Sequence, residues 1–350
     1  MSRLKYLYVM ILPILVWISF QSTGWITFAP LLFAFAVIPL LELLFKPDPE
    51  NLTDEEEKAR AKDPIFDFQV YLMVPIQWFL LFTFIDSFSN NLSTLDIIGR
   101  ISAMGMMCGV IGINVAHELG HRNKWYEKLM AKSLLLTSLY MHFFIEHNRG
   151  HHKNVSTEED PSSARFGESL YGFWFRSVVF AYLSAWKLEK ERLKKKGKGP
   201  LSIYNEMIIF QLLQVGLTVG IGLYFGWIIM VYFIAAATIG FLLLETVNYI
   251  EHYGLERDRK GNTYERVMPH HSWNSDHMVG RLVLFELSRH SDHHFIASRK
   301  YQILRHIDES PQMPTGYPGM MLMSTIPPLW FSVMHKRIKK IKEVGFKQAA

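Results

Sequence analysis

Residues 96–122 read DIIGRISAMGMMCGVIGINVAHELGHR, and this stretch decides the fold class. Before His117 its only charges are Asp96 and Arg100. An apolar run of about 20 residues suffices for a helix rising ~1.5 Å per residue to cross ~30 Å of hydrocarbon. It ends directly in His117-Glu118-Leu119-Gly120-His121. Residues four apart share a helix face, so both imidazoles can reach one metal ion. Working outward, similar apolar runs lie at 6–20, 25–45, 66–86, 203–225 and 227–247, alongside this one at 96–116. The expectation is an all-α polytopic membrane protein. About six transmembrane helices form a single integral membrane domain over 1–350, with a cytoplasmic helical cap carrying the histidines at 117–200 and 248–350.

The first run, with Arg3 and Lys5 ahead of it, has the outline of a secretion signal. No small-residue cleavage site follows it, and the next apolar run begins just after Ser22-Thr23-Gly24, so a helical hairpin is expected. Lysine and arginine set the orientation. The loops around 21–24, 86–94 and 225–226 hold none, while the N-terminus, the 46–65 loop, 117–198 and everything after Asn248 hold all of them except Arg100. Basic residues stay on the cytoplasmic side, which places both termini there. The net charge of +5 is thus largely a topology signal, and no nucleic-acid partner is implied. Asp54–Lys58, DEEEK, reads as a solvated connection. Residues 187–199, KLEKERLKKKGKG, read as the charged end of a helix, and 173–186 as a helix lying in the membrane interface.

Cys108 is the single cysteine. It excludes a disulfide framework, a cysteine zinc site, an iron–sulfur cluster and a built-in four-cysteine rubredoxin domain. No G-x-G-x-x-G follows a strand-like run, so electrons for any redox chemistry come from elsewhere.

The 15 histidines cluster. Besides His117 and His121, there is His147 with His151 and His152 in EHNRGHH, and His290 with His293 and His294 in HSDHH. His252, just past the sixth apolar run, brings the number to nine. A lone histidine is usually a packing or surface residue, but dense groups at helix ends point to metal. HELGH alone also fits a membrane zinc metalloprotease, with Glu118 as general base. Such a site uses three protein ligands and leaves the other groups without work, whereas eight or nine neutral nitrogens suit two transition ions.

These phrases resemble those of a known family. HELGHR at 117–122, FFIEHNRGHH at 143–152, NYIEHYGLERD at 248–258, PHHSWNSDH at 269–277, LSRHSDHHF at 287–295 and MPTGYPG at 313–319 are similar to signatures of the membrane alkane 1-monooxygenases, of the integral-membrane histidine-box di-iron class. NYIEHYG separates the chain from the fatty acid desaturases. The resemblance implies a non-haem centre of two iron ions held by His117, His121, His147, His151, His152, His252, His290, His293 and His294. It also implies O2-dependent hydroxylation of a linear alkane at its terminal carbon, electrons from rubredoxin and its reductase, and a bacterial inner-membrane location. A related membrane hydroxylase or desaturase acting on fatty acyl or aromatic side chains is the alternative.

Glu118, Glu251 and Asp292 are the candidate catalytic carboxylates, and with Glu146 they lie beside ligands, where a carboxylate can fix a histidine tautomer. His252 is preferred to His271 as ninth ligand. His270, His271 and His277 read as loop-orienting residues, His142 as packing, and His306 and His335 as exposed. The substrate dissolves in membrane lipid, so an apolar channel through the helices is the economical route. Phe33, Phe35 and Trp78 are candidates to limit its length, although each taken singly reads first as facing lipid or a neighbouring helix. Rubredoxin is acidic, and Lys194, Lys195, Lys196 and Lys198, or Lys336, Arg337, Lys339 and Lys340, offer it a basic surface; attraction to anionic lipid explains the same residues.

Overall fold

The structure, a computed structural model, describes residues 3–88 and 91–344. Helices dominate. In chain order they are α1 (Lys5–Gln21), α2 (Gly24–Leu44), α3 (Asp54–Lys62), α4 (Pro64–Asp86), α5 (Thr94–Gly120), α6 (Trp125–Thr137) and α7, the helical stretch 143–154. They continue as α8 (Leu170–Lys195), α9 (Glu206–Phe225), α10 (Trp227–His252), α11 (Met278–Val283), α12 (His290–Phe295), α13 (Tyr317–Ser324) and α14 (Pro327–Val344). The described strands are the two-residue pair Arg259–Lys260 and Thr263–Tyr264.

Among the described residues α2, α4, α5, α9 and α10 are long and apolar enough to cross a membrane, and α1 is a shorter apolar helix. The protein is therefore an all-α polytopic membrane protein. Two spans outrun the apolar runs in the sequence. α5 continues to Gly120 and α10 to His252, so HELGH and the His252 of NYIEHYG sit at the ends of the spans themselves. α9 begins at Glu206, three residues later than its apolar run, because the Asn205 side chain caps the Met207 and Ile208 N–H groups at 2.9 and 3.3 Å.

The chain divides into two compact units, one of Met1–Ala34, Asp67–Arg149 and Ala181–Leu244, the other of Phe35–Phe66, Gly150–Phe180 and Glu245–Ala350. In the first, α5 starts at a Ser93/Asp96 capping box, and Asp96 also accepts from the Gly24 N–H at 2.5 Å. Arg100 is buried; it donates to the Ser87 carbonyl and, at 2.8 Å, to that of Ser22. The one basic residue of the span therefore holds two connecting turns rather than reaching solvent. α5 and α10 approach closely. A Cβ on Gly105 would lie 2.5 Å from Ile239, and one on Gly240 would lie 2.5 Å from Cys108, the small-residue contact that lets membrane helices pack without a hydrophobic drive.

In the second unit, buried cations gather the loops. Arg281 pairs with Asp48 at 2.9 Å and with Glu286 at 2.7 Å, and Arg289 donates to the carbonyls of Leu304 and Glu50 at 2.8 and 2.9 Å. Phe66 and Tyr301 pack edge-on, and Tyr301 donates to the Phe66 carbonyl at 3.1 Å. Along α8, Tyr171, Phe175 and Val179 form an exposed apolar row at four-residue spacing.

Candidate metal centre

In the first unit α5 presents His117 and, at its cap, His121, one turn apart, with ring centroids 5.0 Å apart. His147 enters from α7, 4.5 Å from the His117 ring and 5.0 Å from that of His121. The Nε2 atoms of His121 and His147 are 3.0 Å apart. Two ligands on one metal with bonds of about 2.1 Å stand about 3.0–3.4 Å apart at cis or tetrahedral angles, so this spacing is that of co-ligands. α7 makes a π turn over His147–His151, a widened repeat that collects at functional sites.

In the second unit His151, His252, His290 and His294 are all buried, and each offers a ring nitrogen within 4.8 Å of the others'. His252 and His290 face each other through Nε2 at 3.3 Å. Nearby, His152 and His293 face each other in the same way at 3.1 Å. The short helix α12 supplies three of these rings; its i, i+3, i+4 spacing turns His290, His293 and His294 to one side.

The donor chemistry fits a transition ion. Both ring nitrogens of His294 are buried, and neither has a hydrogen-bond partner among the described residues, a costly arrangement unless something electrophilic occupies the space before them. Burial first, then the neighbouring histidines, hold His294 well below the ordinary histidine range, which keeps the imidazole neutral and able to ligate. His151 has its Nδ1 on the Asp160 carboxylate at 2.8 Å, leaving Nε2 as its ligating atom. Asp160 is itself held by the Ser163 hydroxyl at 2.5 Å and the Ser162 N–H at 3.0 Å. Burial alone would raise its pKa, but His151 and these bonds keep it below the usual carboxylate range. His252 turns Nδ1 toward the Ser272 hydroxyl at 3.5 Å and Nε2 toward His290.

Of the three carboxylates singled out in the sequence, Glu251 reaches a histidine set, with Oε2 3.1 Å from His290 Nε2. Glu118 accepts from Arg122 at 3.0 and 2.7 Å, and Arg122 also pairs with Asp67 and Glu127. Burial lowers the Arg122 pKa, but these carboxylates outweigh it and raise it. A Glu118 tied to a buried guanidinium is poorly placed as the general base of a zinc peptidase. Asp292 takes both oxygens to Arg299 at 2.7 Å and accepts the Arg305 N–H at 2.9 Å, anchoring α12 to the following loop.

His271 lies in a separate group. Its Nε2 is 3.1 Å from Glu265, its Nδ1 accepts the Met268 N–H at 3.0 Å, and His270 is beside it. His142 packs between Tyr140 and Tyr182, and burial brings it down to about 3. His306 is half-buried between Asp276 at 2.6 Å and Asp308 at 3.1 Å, and His335 is half-buried on Phe166 and meets the Tyr253 hydroxyl at 2.8 Å, so neither is the bare surface residue its sequence context suggested. Trp78 donates its indole N–H to Ser133 at 2.8 Å; Phe33 and Phe35 are half-buried.

Two supporting residues escape sequence reasoning. Asp160 follows Glu158 and Glu159 in TEEDP, where it looks like part of a solvated acidic run, and the Pro-Ser-Ser after it was the only local sign of a turn. Tyr317, in MPTGYPG, carries no local mark of a partner 66 residues away.

Comparison with known proteins agrees with this chemistry. Residues 97–323 match the fatty acid desaturase family model. Alkane 1-monooxygenase 1 of Pseudomonas aeruginosa is 43% identical over 319 residues, covering 89% of this chain and 83% of that one. Alkane 1-monooxygenase 2 of Alcanivorax borkumensis is 40% identical over 91% of this chain and 84% of its own. The xylene/toluene monooxygenase hydroxylase component of Pseudomonas putida is more distant, at 29% over 86% and 80%.

Proposed function

The chain belongs to the alkane 1-monooxygenase family, and from that premise we propose that it hydroxylates linear alkanes at the terminal carbon with two iron ions and electrons from rubredoxin. Its class, a membrane monooxygenase acting on alkane and O2 at a histidine-ligated metal centre, follows from the family and the histidine sets together. The reaction is R–CH3 + O2 + 2e⁻ + 2H⁺ → R–CH2OH + H2O. When bound, an iron pair supplies the reductive activation of O2 that an unactivated C–H bond demands.

The nine histidines 117, 121, 147, 151, 152, 252, 290, 293 and 294 are the proposed ligands. The observation that carries this reading is the four-histidine set, in which both nitrogens of His294 are buried without a hydrogen-bond partner among the described residues. Imidazole is compatible with iron, and an all-nitrogen set of this size exceeds the needs of a hydrolytic zinc ion. Asp160 fixes which nitrogen of His151 faces the metal. The apolar spans take the alkane from lipid, and the cationic loops set an inner-membrane topology with both termini and the segments 117–200 and 248–350 in the cytoplasm. Rubredoxin docks on exposed basic residues, Lys194–Lys196 at the end of α8 or Lys336, Lys339 and Lys340 on α14.

The test is to purify the full chain in lipid nanodiscs, count its iron, and supply rubredoxin, its reductase, NADH, 18O2 and alkanes from octane to hexadecane. About two irons per chain and 18O-labelled 1-alkanols are expected. One zinc and no iron, or active protein without iron, overturns the reading.

A further inference from the structure

Glu251 stands on the last turn of α10, one residue before His252, and is almost fully buried. Its two oxygens have different tasks. Oε2 lies 3.1 Å from His290 Nε2, the nitrogen that also faces His252. Oε1 accepts a hydrogen bond from the Tyr317 hydroxyl at 2.7 Å. A carboxylate usually supports a metal-bound histidine from behind, on the nitrogen away from the ion, as Asp160 does for His151. Glu251 instead approaches the nitrogen that faces into the set, so it sits on the metal side of the ring. It lies outside the four residues whose ligand atoms are all within 4.8 Å of one another, which makes it a neighbour of the ion's position rather than a fifth equal ligand.

A carboxylate in that place needs holding, because either oxygen could otherwise swing to the histidines. Tyr317 supplies the hold and is itself fixed. It opens α13 directly after Gly316, and a Cβ on Gly316 would lie 2.0 Å from Glu42 Oε2. Glu42 also accepts the Gly280 N–H at 2.9 Å, and a Cβ there would lie 2.8 Å from the same carboxylate. The MPTGYPG turn is therefore seated against the Glu42 carboxylate, which would have to move for a side chain at Gly316 or Gly280. Pro318 stiffens the first turn of α13, and the Tyr317 ring is buried, with its hydroxyl on Glu251.

We infer that Tyr317 is a positioning residue that clamps Glu251 through Oε1 so that Oε2 faces the ligand nitrogen of His290 beside the four-histidine ion. The inference rests on the metal-centre reading above. It assigns a task to MPTGYPG, whose sequence carries no ligand, acid or base of its own.

The experiment titrates metal-free full chain in nanodiscs with Co2+ and follows the visible ligand-field absorption. Co2+ serves as probe so that the outcome does not depend on the native metal being iron, which the iron count of untreated protein tests separately. Wild type is expected to show two classes of site. Tyr317→Phe should weaken one class at least tenfold and shift its absorption, leaving the other as in wild type. Glu251→Gln should change the same class, and the double variant should match Glu251→Gln alone, because the hydroxyl acts only through the carboxylate. An unchanged Tyr317→Phe titration, equal loss in both classes, or a double variant worse than Glu251→Gln overturns the inference. If Tyr317→Phe does not fold, Glu251→Gln still decides: unaltered Co2+ spectra in that variant place the carboxylate away from the ion and overturn the inference as well.

Discussion

The histidine trio of the first unit and the four-histidine set of the second are built on opposite plans. His117, His121 and His147 come from two helices, and the spacing that aligns the first two is ordinary helical repeat. His151, His252, His290 and His294 come from three separate stretches of chain and are arranged through polar residues remote in sequence, Asp160, Ser272, Glu251 and Tyr317. The contrast teaches that two histidines one turn apart on a single helix carry their own geometry, whereas a site assembled from helices far apart in sequence borrows its geometry from supporting side chains. The second plan is therefore sensitive to loss of those polar neighbours.

The sharpest way to break this contrast is His294→Ala. Its nitrogens make no hydrogen bond among the described residues, so the loss should fall on metal more than on fold: about one ion fewer per chain and activity below detection, with an unfolding transition close to that of metal-free wild type. Metal analysis beside thermal unfolding checks it, and unchanged metal content sinks the assignment of His294. Next in size is Arg122→Ala in the first unit, which leaves Glu118, Asp67 and Glu127 in poorly solvated positions without their cation. Breaking a buried ion pair from one side costs about 3–5 kcal/mol, so the expected result is a lower denaturation temperature with metal retained by what folds. Asp160→Asn should act in the reverse sense, lowering affinity for one ion about 10–100-fold while unfolding shifts little. Equal effects of Arg122→Ala and Asp160→Asn on metal would erase the distinction between the two plans.

The smallest effect concerns pH. Hydrogen bonding to Asp276 first, together with the charges of Asp276 and Asp308, raises His306 above its ordinary pKa despite partial burial. A group raised in the folded state stabilises fully below its unfolded pKa, near 6.5, and this contribution disappears as pH rises through the folded value. Wild type should therefore exceed His306→Gln in stability at pH 6 by less than about 1 kcal/mol, and the gap should close toward alkaline pH. A gap that widens with pH contradicts the assigned charge state.

Much of the fold was legible because membrane spans announce themselves locally. A helix in lipid satisfies its own backbone, so length and apolarity are enough to locate α2, α4, α5, α9 and α10 to within a few residues. The ends were less legible, since Asn205 capping and the extension of α5 and α10 beyond their apolar runs depend on polar residues that hydropathy ignores. Arg100 shows the same limit. Sequence marks it only as the one cation outside the basic loops, and the fold shows it donating to the carbonyls of Ser22 and Ser87 inside.

The histidines, their grouping and their nearness to helix ends were written in the residues themselves, because imidazoles four apart on a helix must share a face wherever the helix is placed. Which carboxylate serves which ring was not. Glu118, Glu251 and Asp292 look alike beside their histidines in the sequence, yet the first turns to Arg122, the last to Arg299, and Glu251 meets His290. Asp160 and Tyr317 enter the site from 9 and 66 residues away from the groups they hold. Local order along a chain determines which side chains share a helix face, but pairing between buried polar groups is chosen by packing, since each must find whichever partner the folded chain brings within reach.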